Sequence, residues 1–135
     1  MSDAEEAIEA IQVTAAVIRR DGKILLAQRK RGHLAGKWEF PGGKIEQGEK
    51  PEECLARELR EEFEIDARVG HYITTSRYRN KDIDIDLHGY EVEHIKGVFA
   101  LKDHDAIEWV DPKSLLKWDL AEADIPIARV VSGVY

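Results

Sequence analysis

The chain has 135 residues, a length typical of a single domain, and a formal net charge of −7. That charge argues against non-specific binding to nucleic acid polymers, which depends on Lys and Arg neutralising phosphates. No apolar run approaches the roughly 20 residues of a membrane span, and the acidic start MSDAEEAIEA lacks the basic and apolar regions of a signal peptide. With one cysteine, Cys54, there is no internal disulfide. We expect a cytoplasmic protein that binds neither nucleic acid polymers nor membranes.

Residues 1–9 are expected to form a loose lead-in to one domain covering residues 1–135. Apolar residues then alternate from Ile11 to Val17, which predicts a strand with one buried face. Asp21-Gly22 predicts a hairpin turn, and residues 24–28 the returning strand. A basic loop follows at residues 29–33, either a solvated turn or a contact for a polyanionic substrate. A short strand at 38–40 runs into the glycine turn after Pro41.

A helix is predicted to begin at Pro51, because proline suits a first helical position. Apolar residues at every fourth position, through Phe63, give it one buried face. Three carboxylates, those of Glu58, Glu61 and Glu62, fall three and four residues apart beside that face. Two interpretations remain open: a charged surface helix with arginine partners, or a site for a hard cation such as Mg²⁺, which takes oxygen ligands.

After this helix, strands are predicted at residues 67–79, around 83–87 and at 107–110. A short helical turn is expected to run from Pro112 to Lys117, and a C-terminal helix from Asp119 to Val131. Strands, a helix, more strands and a last helix predict an α/β protein (α+β in stricter schemes). Its mixed sheet should carry helices on its faces.

The stretch from Gly43 to Ile65 resembles the Nudix box, a glycine followed at fixed spacings by glutamate and by an Arg-Glu-apolar-any-Glu-Glu core. The matching residues are Gly43, Glu49, Arg57, Glu58, Leu59, Glu61, Glu62 and Ile65. One position departs, since Glu64 stands where the family has glycine. That glycine lies at the helix end, where a left-handed turn is usual. We therefore expect its replacement to alter the local geometry more than the chemistry.

The resemblance implies the Nudix α/β/α sandwich with a central mixed sheet. It also implies hydrolysis of nucleoside diphosphate derivatives, with Mg²⁺ or Mn²⁺ as cofactor. The implied metal ligands are the Gly43 carbonyl, Glu58, Glu61 and Glu62. Arg57 would hold the box loop through Glu49. The general base is left open between Glu58 and Asp103. The latter lies six residues before Trp109, where MutT-type relatives place an acid.

Within the family, the whole chain looks most similar to the MutT-type bacterial branch active on pyrimidine triphosphates such as CTP and on oxidised nucleotides. The resemblance implies that Arg29, Glu39 and Lys44 lie near the triphosphate. Asp124 stands where MutT-type relatives read an oxidised guanine with asparagine. An ionised aspartate can only accept hydrogen bonds, for example from the amino group of cytosine. Alternatively, Asp124 merely caps the last helix.

Two other interpretations stay open. The first is a Nudix hydrolase of ADP-ribose or a dinucleotide, and the second is a nucleotide-binding module without catalysis. The five histidines show no i, i+4 pairing that would suggest a ligand pair, so His104 and the others are not expected to act in the site. A small-molecule nucleotide is the expected partner, and the protein is expected to be a monomer or homodimer.

Overall fold

The computed structural model describes residues 9–133, so the expected lead-in falls almost entirely outside the described residues. Within that range, strands and helices follow the predicted order. They are β1 (Ile11–Arg20), β2 (Lys23–Arg29), β3 (Trp38–Glu39), α1 (Pro51–Phe63), β4 (Asp66–Arg79), β5 (Asp84–Lys96), β6 (His104–Val110) and α2 (Ile125–Ser132). Two short 3-10 helices, Pro112–Lys117 and Glu122–Asp124, precede α2. No helix in the described range is both long and apolar enough to cross a bilayer.

The sheet is mixed, and its two central strands, β1 and β2, separate along most of their length. Strand β1 pairs in parallel with β5, while β4 pairs with β5, and β2 with β3 and β6, in antiparallel fashion. Strands β1 and β2 pair only at their hairpin end. Beyond it, the glycine turn lies beside β1, where the Ala16 amide donates to the Pro41 carbonyl at 2.6 Å and the Thr14 amide to Gly43 at 2.8 Å. The strand ends and this turn therefore meet at one cleft.

Strand β1 is buried on both faces, so the prediction of one buried face was wrong. Ala15 and Val17 belong to the apolar cluster under α2, whereas Ala16 and Ile18 belong to the cluster under α1. All four side chains are fully buried. Helices cover the two faces of the sheet, so a central strand reads as a continuous apolar run. The α/β/α layers predicted from the sequence are confirmed.

The C-terminal segment is less helical than predicted. The expected turn at Pro112–Lys117 is present, as a 3-10 helix whose first turn is capped by the Asp111 side chain. The predicted helix from Asp119, however, begins only at Ile125, with Pro126 in its first turn. Proline lacks a backbone N–H and is tolerated in the first turn of an α-helix but not in its interior. The chain therefore reaches α2 through a short 3-10 turn, which directs Asp124 inward.

The end of α1 keeps its left-handed turn although glutamate replaces glycine. Glu64 has φ 57° and ψ 36°, and its amide donates to the carbonyls of Arg60 and Leu59. Its side chain pairs with Lys102 at 3.1 Å, a contact in which both side chains are at least half exposed. The expected distortion of the helix end does not occur. The cost falls on stability, since a non-glycine residue in this conformation is strained by about 1–2 kcal/mol.

Replacing Glu64 by glycine should therefore raise the free energy of unfolding by about 0.5–1 kcal/mol. Glycine removes the left-handed strain, while its greater freedom in the unfolded chain and the loss of a weak surface ion pair offset part of the gain. Chemical denaturation would measure the change. Glu64→Ala is the control, because it loses the same ion pair and keeps the strain. Equal stability of the glycine and alanine variants would contradict this account.

Candidate active site

Arg57 ties the loop that follows the glycine turn to helix α1. Its guanidinium donates to both carboxylate oxygens of Glu49, from Nε at 2.7 Å and from Nη2 at 3.0 Å. From Nη1 it donates to Glu58 at 2.9 Å and to Glu61 at 3.2 Å. The hydrogen bonds from Arg57, and then that from the Glu46 amide, hold the pKa of Glu49 down, to about 2. Arg57 thus holds the box loop through Glu49, as predicted. It also offsets the repulsion among the helix carboxylates and fixes two of them in place.

Glu58 and Glu62 form a close pair of carboxyl groups at the edge of the apolar core. Their side chains are only 16% and 15% exposed. Burial, followed by the hydrogen bond and the charge of Glu58, raises the pKa of Glu62 to about 9. Like charges in contact favour one shared proton over two ionised groups. Without a cation between them, this pair therefore retains a proton at neutral pH.

Glu61 lies beside this pair and is more exposed. Its side chain is 60% exposed and its carboxylate rests against Arg57. Across residues 9–133, no group of three or more His, Cys, Asp or Glu side chains is arranged as a preformed metal site. The donor set nevertheless fits a hard divalent cation, because all three glutamates offer carboxylate oxygens on one helix face.

Gly43 makes room for Glu58. A Cβ added at this glycine would lie 2.5 and 2.6 Å from the two Glu58 carboxylate oxygens. Its carbonyl oxygen accepts hydrogen bonds from the amide of Thr14 at 2.8 Å and from the Thr14 hydroxyl at 3.1 Å. A carbonyl oxygen has two lone pairs. The structure gives this glycine a steric role, and the expected Gly43 carbonyl–metal contact stays a prediction.

One pocket of about 550 Å³ joins the carboxylate pair to the end of helix α2. Glu62, Asp103, Asp124 and Phe40 are among the residues that line it. The basic loop forms part of its wall, with Arg29, Lys30, Arg31 and His33 among the lining residues. This placement favours the substrate-contact interpretation of the loop over a merely solvated turn.

Glu39 is held from two sides within the pocket. Arg29 Nη1 donates to its Oε1 at 2.9 Å, and His104 Nε2 lies 2.9 Å from its Oε2. His104 itself is 4% exposed. No role was expected for this histidine, yet it lines the pocket between Glu39 and Glu62. Its partners are remote along the chain, so no local spacing could have revealed it.

Asp103 and Lys44 occupy different surroundings from one another. Asp103 lies at the pocket rim, its side chain 54% exposed and its carboxylate 3.8 Å from Arg31. Lys44 is exposed and does not line the pocket, and its backbone carbonyl accepts from Arg57 at 3.2 Å. The structure thus supports Asp103 as an acid near the site and does not support a phosphate contact by Lys44.

Asp124 is buried at the far end of the pocket, with 5% of its surface exposed. Its Oδ1 accepts from the Phe40 amide at 3.0 Å, and its side chain makes no capping bond to α2. The capping alternative is therefore not what the structure shows. Burial, and then the nearby Glu39 charge, raises the pKa of Asp124 well above its usual range. The protonated acid is favoured, and it can donate as well as accept.

Comparison with known proteins agrees with this geometry. A family model described as the NUDIX domain matches residues 9–131. The chain belongs to the Nudix family. It is 45% identical over 118 residues to a CTP pyrophosphohydrolase of Escherichia coli K12, covering 87% of each chain. It is also 33% identical to an 8-oxo-dGTP diphosphatase of the same strain, covering 87% of this chain and 92% of the relative.

Solved Nudix structures share the fold. The solution structure of the E. coli ORF135 protein superposes with a TM-score of 0.85 at 42% identity, covering 93% of this chain and 91% of that one. A MutT protein from Methanosarcina mazei Go1 gives 0.80 at 24% identity, which supports the fold alone, over 94% and 95% of the two chains. The protein described here is thus a Nudix hydrolase, with the box on its central loop and first helix.

Proposed function

We propose that this Nudix hydrolase cleaves nucleoside triphosphates to the monophosphate and pyrophosphate, with Mg²⁺ or Mn²⁺ as cofactor and cytidine nucleotides as preferred substrates. The observation that carries the proposal is the single pocket linking Glu62 to Asp124. Its volume, about 550 Å³, suits a nucleotide-sized ligand. The pocket contains the Glu62 carboxyl group, which suits metal-assisted phosphate chemistry. It also contains the buried acid Asp124, which suits hydrogen bonding to a nucleobase.

The metal would be held by Glu58, Glu61 and Glu62. When bound, it polarises phosphoryl oxygens and makes water easier to deprotonate. Arg57 keeps Glu58 and Glu61 on one side of the helix. Two ionised carboxylates in contact repel each other, which raises the pKa of Glu62 beside Glu58. A bound cation would replace the proton and relieve this repulsion.

Between the two candidate bases, the surroundings favour Asp103. Glu58 is already engaged by Arg57 and by its neighbour Glu62. Asp103 is exposed at the pocket rim, where a water molecule can reach it. We therefore assign Asp103 the role of accepting the proton of the attacking water. The phosphates would meet the basic wall of the pocket, where Lys30 and Arg31 are exposed.

Asp124 is suited to the Watson–Crick edge of cytosine. A protonated carboxyl group can donate to the ring nitrogen N3 while its other oxygen accepts from the exocyclic amino group. Glu39, held by Arg29, supplies a further acceptor nearby. The relative named CTP pyrophosphohydrolase, at 45% identity, supports this choice. The relatives named 8-oxo-dGTP diphosphatase make that oxidised nucleotide the second candidate.

A pyrophosphate-release panel tests the proposed function directly. CTP, dCTP, 8-oxo-dGTP, UTP and ADP-ribose would be compared with and without Mg²⁺. Release of pyrophosphate from CTP that depends on the metal is the expected result. Binding of CTP without turnover would favour a nucleotide-binding module without catalysis. Hydrolysis of ADP-ribose to phosphate esters, with no turnover of the triphosphates, would favour a hydrolase of ADP-ribose or a dinucleotide.

Asp124→Leu should raise the KM for CTP about tenfold or more and reduce the preference among CTP, dCTP and 8-oxo-dGTP. Leucine is similar in size and cannot form the hydrogen bonds, each worth about 1–3 kcal/mol in a buried setting. Asp124→Asn is the companion variant: its amide both donates and accepts, so the KM for CTP should rise less than in the leucine variant. Unchanged nucleotide preference in the leucine variant would remove the base-reading role.

A further inference from the structure

His104 lies in the wall of the pocket, between Glu39 and Glu62. It is the first residue of β6 and pairs with Arg29, at a point where the register of β2 shifts. The imidazole stacks on Phe63 of α1, with ring centroids 5.0 Å apart and planes 19° from parallel. With 4% of its surface exposed, the ring is fixed on one side by the sheet and on the other by the helix.

The two ring nitrogens face two different carboxyl groups of the pocket, those of Glu39 and Glu62. Nε2 is 2.9 Å from Glu39 Oε2, and because a carboxylate only accepts hydrogen bonds, Nε2 carries the hydrogen. Nδ1 is buried without a hydrogen-bond partner among residues 9–133 and lies 3.9 Å from Glu62 Oε2. A buried nitrogen without a partner is unusual in a folded protein and calls for an explanation.

Glu39 is fixed only if both of its oxygens are held. Arg29 holds Oε1 at 2.9 Å, but the Arg29 side chain is 40% exposed. Ion pairs exposed to solvent are weak. His104 holds Oε2 from a side chain that is 3% exposed. The buried hydrogen bond therefore sets the direction of the Glu39 carboxylate more firmly than the exposed arginine can.

We infer that His104 is a positioning residue that orients the Glu39 carboxylate towards the nucleoside part of the substrate, independently of the metal-binding glutamates. The inference rests on the proposed function, because it assigns Glu39 to nucleotide binding. It differs from a packing role, in which only the stacking on Phe63 would matter. The two roles separate because each ring nitrogen can be imitated by a different amide side chain.

The test compares His104→Gln with His104→Asn. The glutamine amide reaches the position of Nε2 and can still donate to Glu39, whereas the shorter asparagine amide lies near Nδ1 and cannot. We expect His104→Asn to raise the KM for CTP about tenfold or more, the scale expected for one lost hydrogen bond to a charged group. The glutamine variant should stay within about threefold of the wild type on the same scale, with similar kcat in both. His71, exposed on β4, provides a His71→Asn control that should leave KM unchanged.

Two readouts separate positioning from packing. Binding of cytidine monophosphate, measured by calorimetry without divalent metal, should weaken in His104→Asn and recover in His104→Gln, while Mn²⁺ affinity measured by electron paramagnetic resonance stays the same in both. In a Glu39→Gln background, His104→Asn should have no further effect on KM, since the two changes remove one interaction.

Equal losses in the asparagine and glutamine variants, accompanied by equal drops in melting temperature, would overturn the inference in favour of packing. Unchanged nucleotide binding in His104→Asn would overturn it as well. Both results presuppose a wild-type protein that hydrolyses CTP, so they leave the proposed function standing. A wild type that releases no pyrophosphate from any nucleotide overturns the proposed function and this inference together.

Discussion

Replacing Glu62 by glutamine should lower kcat by about 100-fold or more at saturating Mg²⁺, because the loss of a metal ligand removes several kcal/mol of transition-state stabilisation. The same substitution should stabilise the metal-free protein at pH 8. Burial and the neighbouring Glu58 raise the pKa of Glu62 to about 9. The folded protein thus binds more protons than the unfolded chain between about pH 5 and 9, and its stability falls as the pH rises through that window.

The slope of this loss is at most about 1.4 kcal/mol per pH unit, and glutamine abolishes it because it does not ionise. Thermal unfolding without metal at pH 5 and pH 8, together with steady-state kinetics, would measure both effects. Glu93→Gln is the control, since the Glu93 side chain is 63% exposed on β5 and pairs with Arg68. Glu61→Gln should lose less activity than Glu62→Gln, because Glu61 is 60% exposed. Near-normal turnover in both variants would refute the metal assignment.

The helix, its carboxylates and the succession of strands along the chain were predictable because they depend on local spacing. Residues three and four apart on a helix are neighbours in any fold, so the positions of Glu58, Glu61 and Glu62 followed from the sequence. The direction of each side chain did not. Arg57 Nη1 donates to both Glu58 and Glu61, whereas Glu62 is buried against Glu58.

The remaining features depend on contacts between distant parts of the chain. His104 reaches Glu39, 65 residues earlier, through strand pairing that no sequence motif announces. The protonated state of Asp124 follows from burial under the Phe40 segment, which hydrophobic periodicity does not reveal. The position of the Lys44 side chain depends on the same kind of contact, because the backbone of the glycine turn follows β1 and leaves that side chain outside the pocket.

Gly43→Ala should leave the protein folded and lower kcat by about 100-fold, a loss comparable to removing a metal ligand. Gly43 does not have positive φ, so alanine fits its backbone conformation. The new methyl group would instead lie within 2.6 Å of both Glu58 carboxylate oxygens. Glu58 must therefore swing away, which separates it from Glu62. Thermal unfolding and kcat, measured on the same preparation, would distinguish lost chemistry from lost folding.

The neighbouring glycine and the displaced glutamate supply the controls. In Gly42→Ala the methyl group would meet the backbone of Thr14, which cannot move aside, so this variant should lose stability as well as activity. Adding Gly43→Ala to Glu58→Ala should cause no further loss of kcat, because the side chain that clashes is already absent. A Gly43→Ala enzyme with normal kcat would show that Glu58 need not occupy the position seen here. A further loss in the double variant would show that the methyl group acts on something other than Glu58.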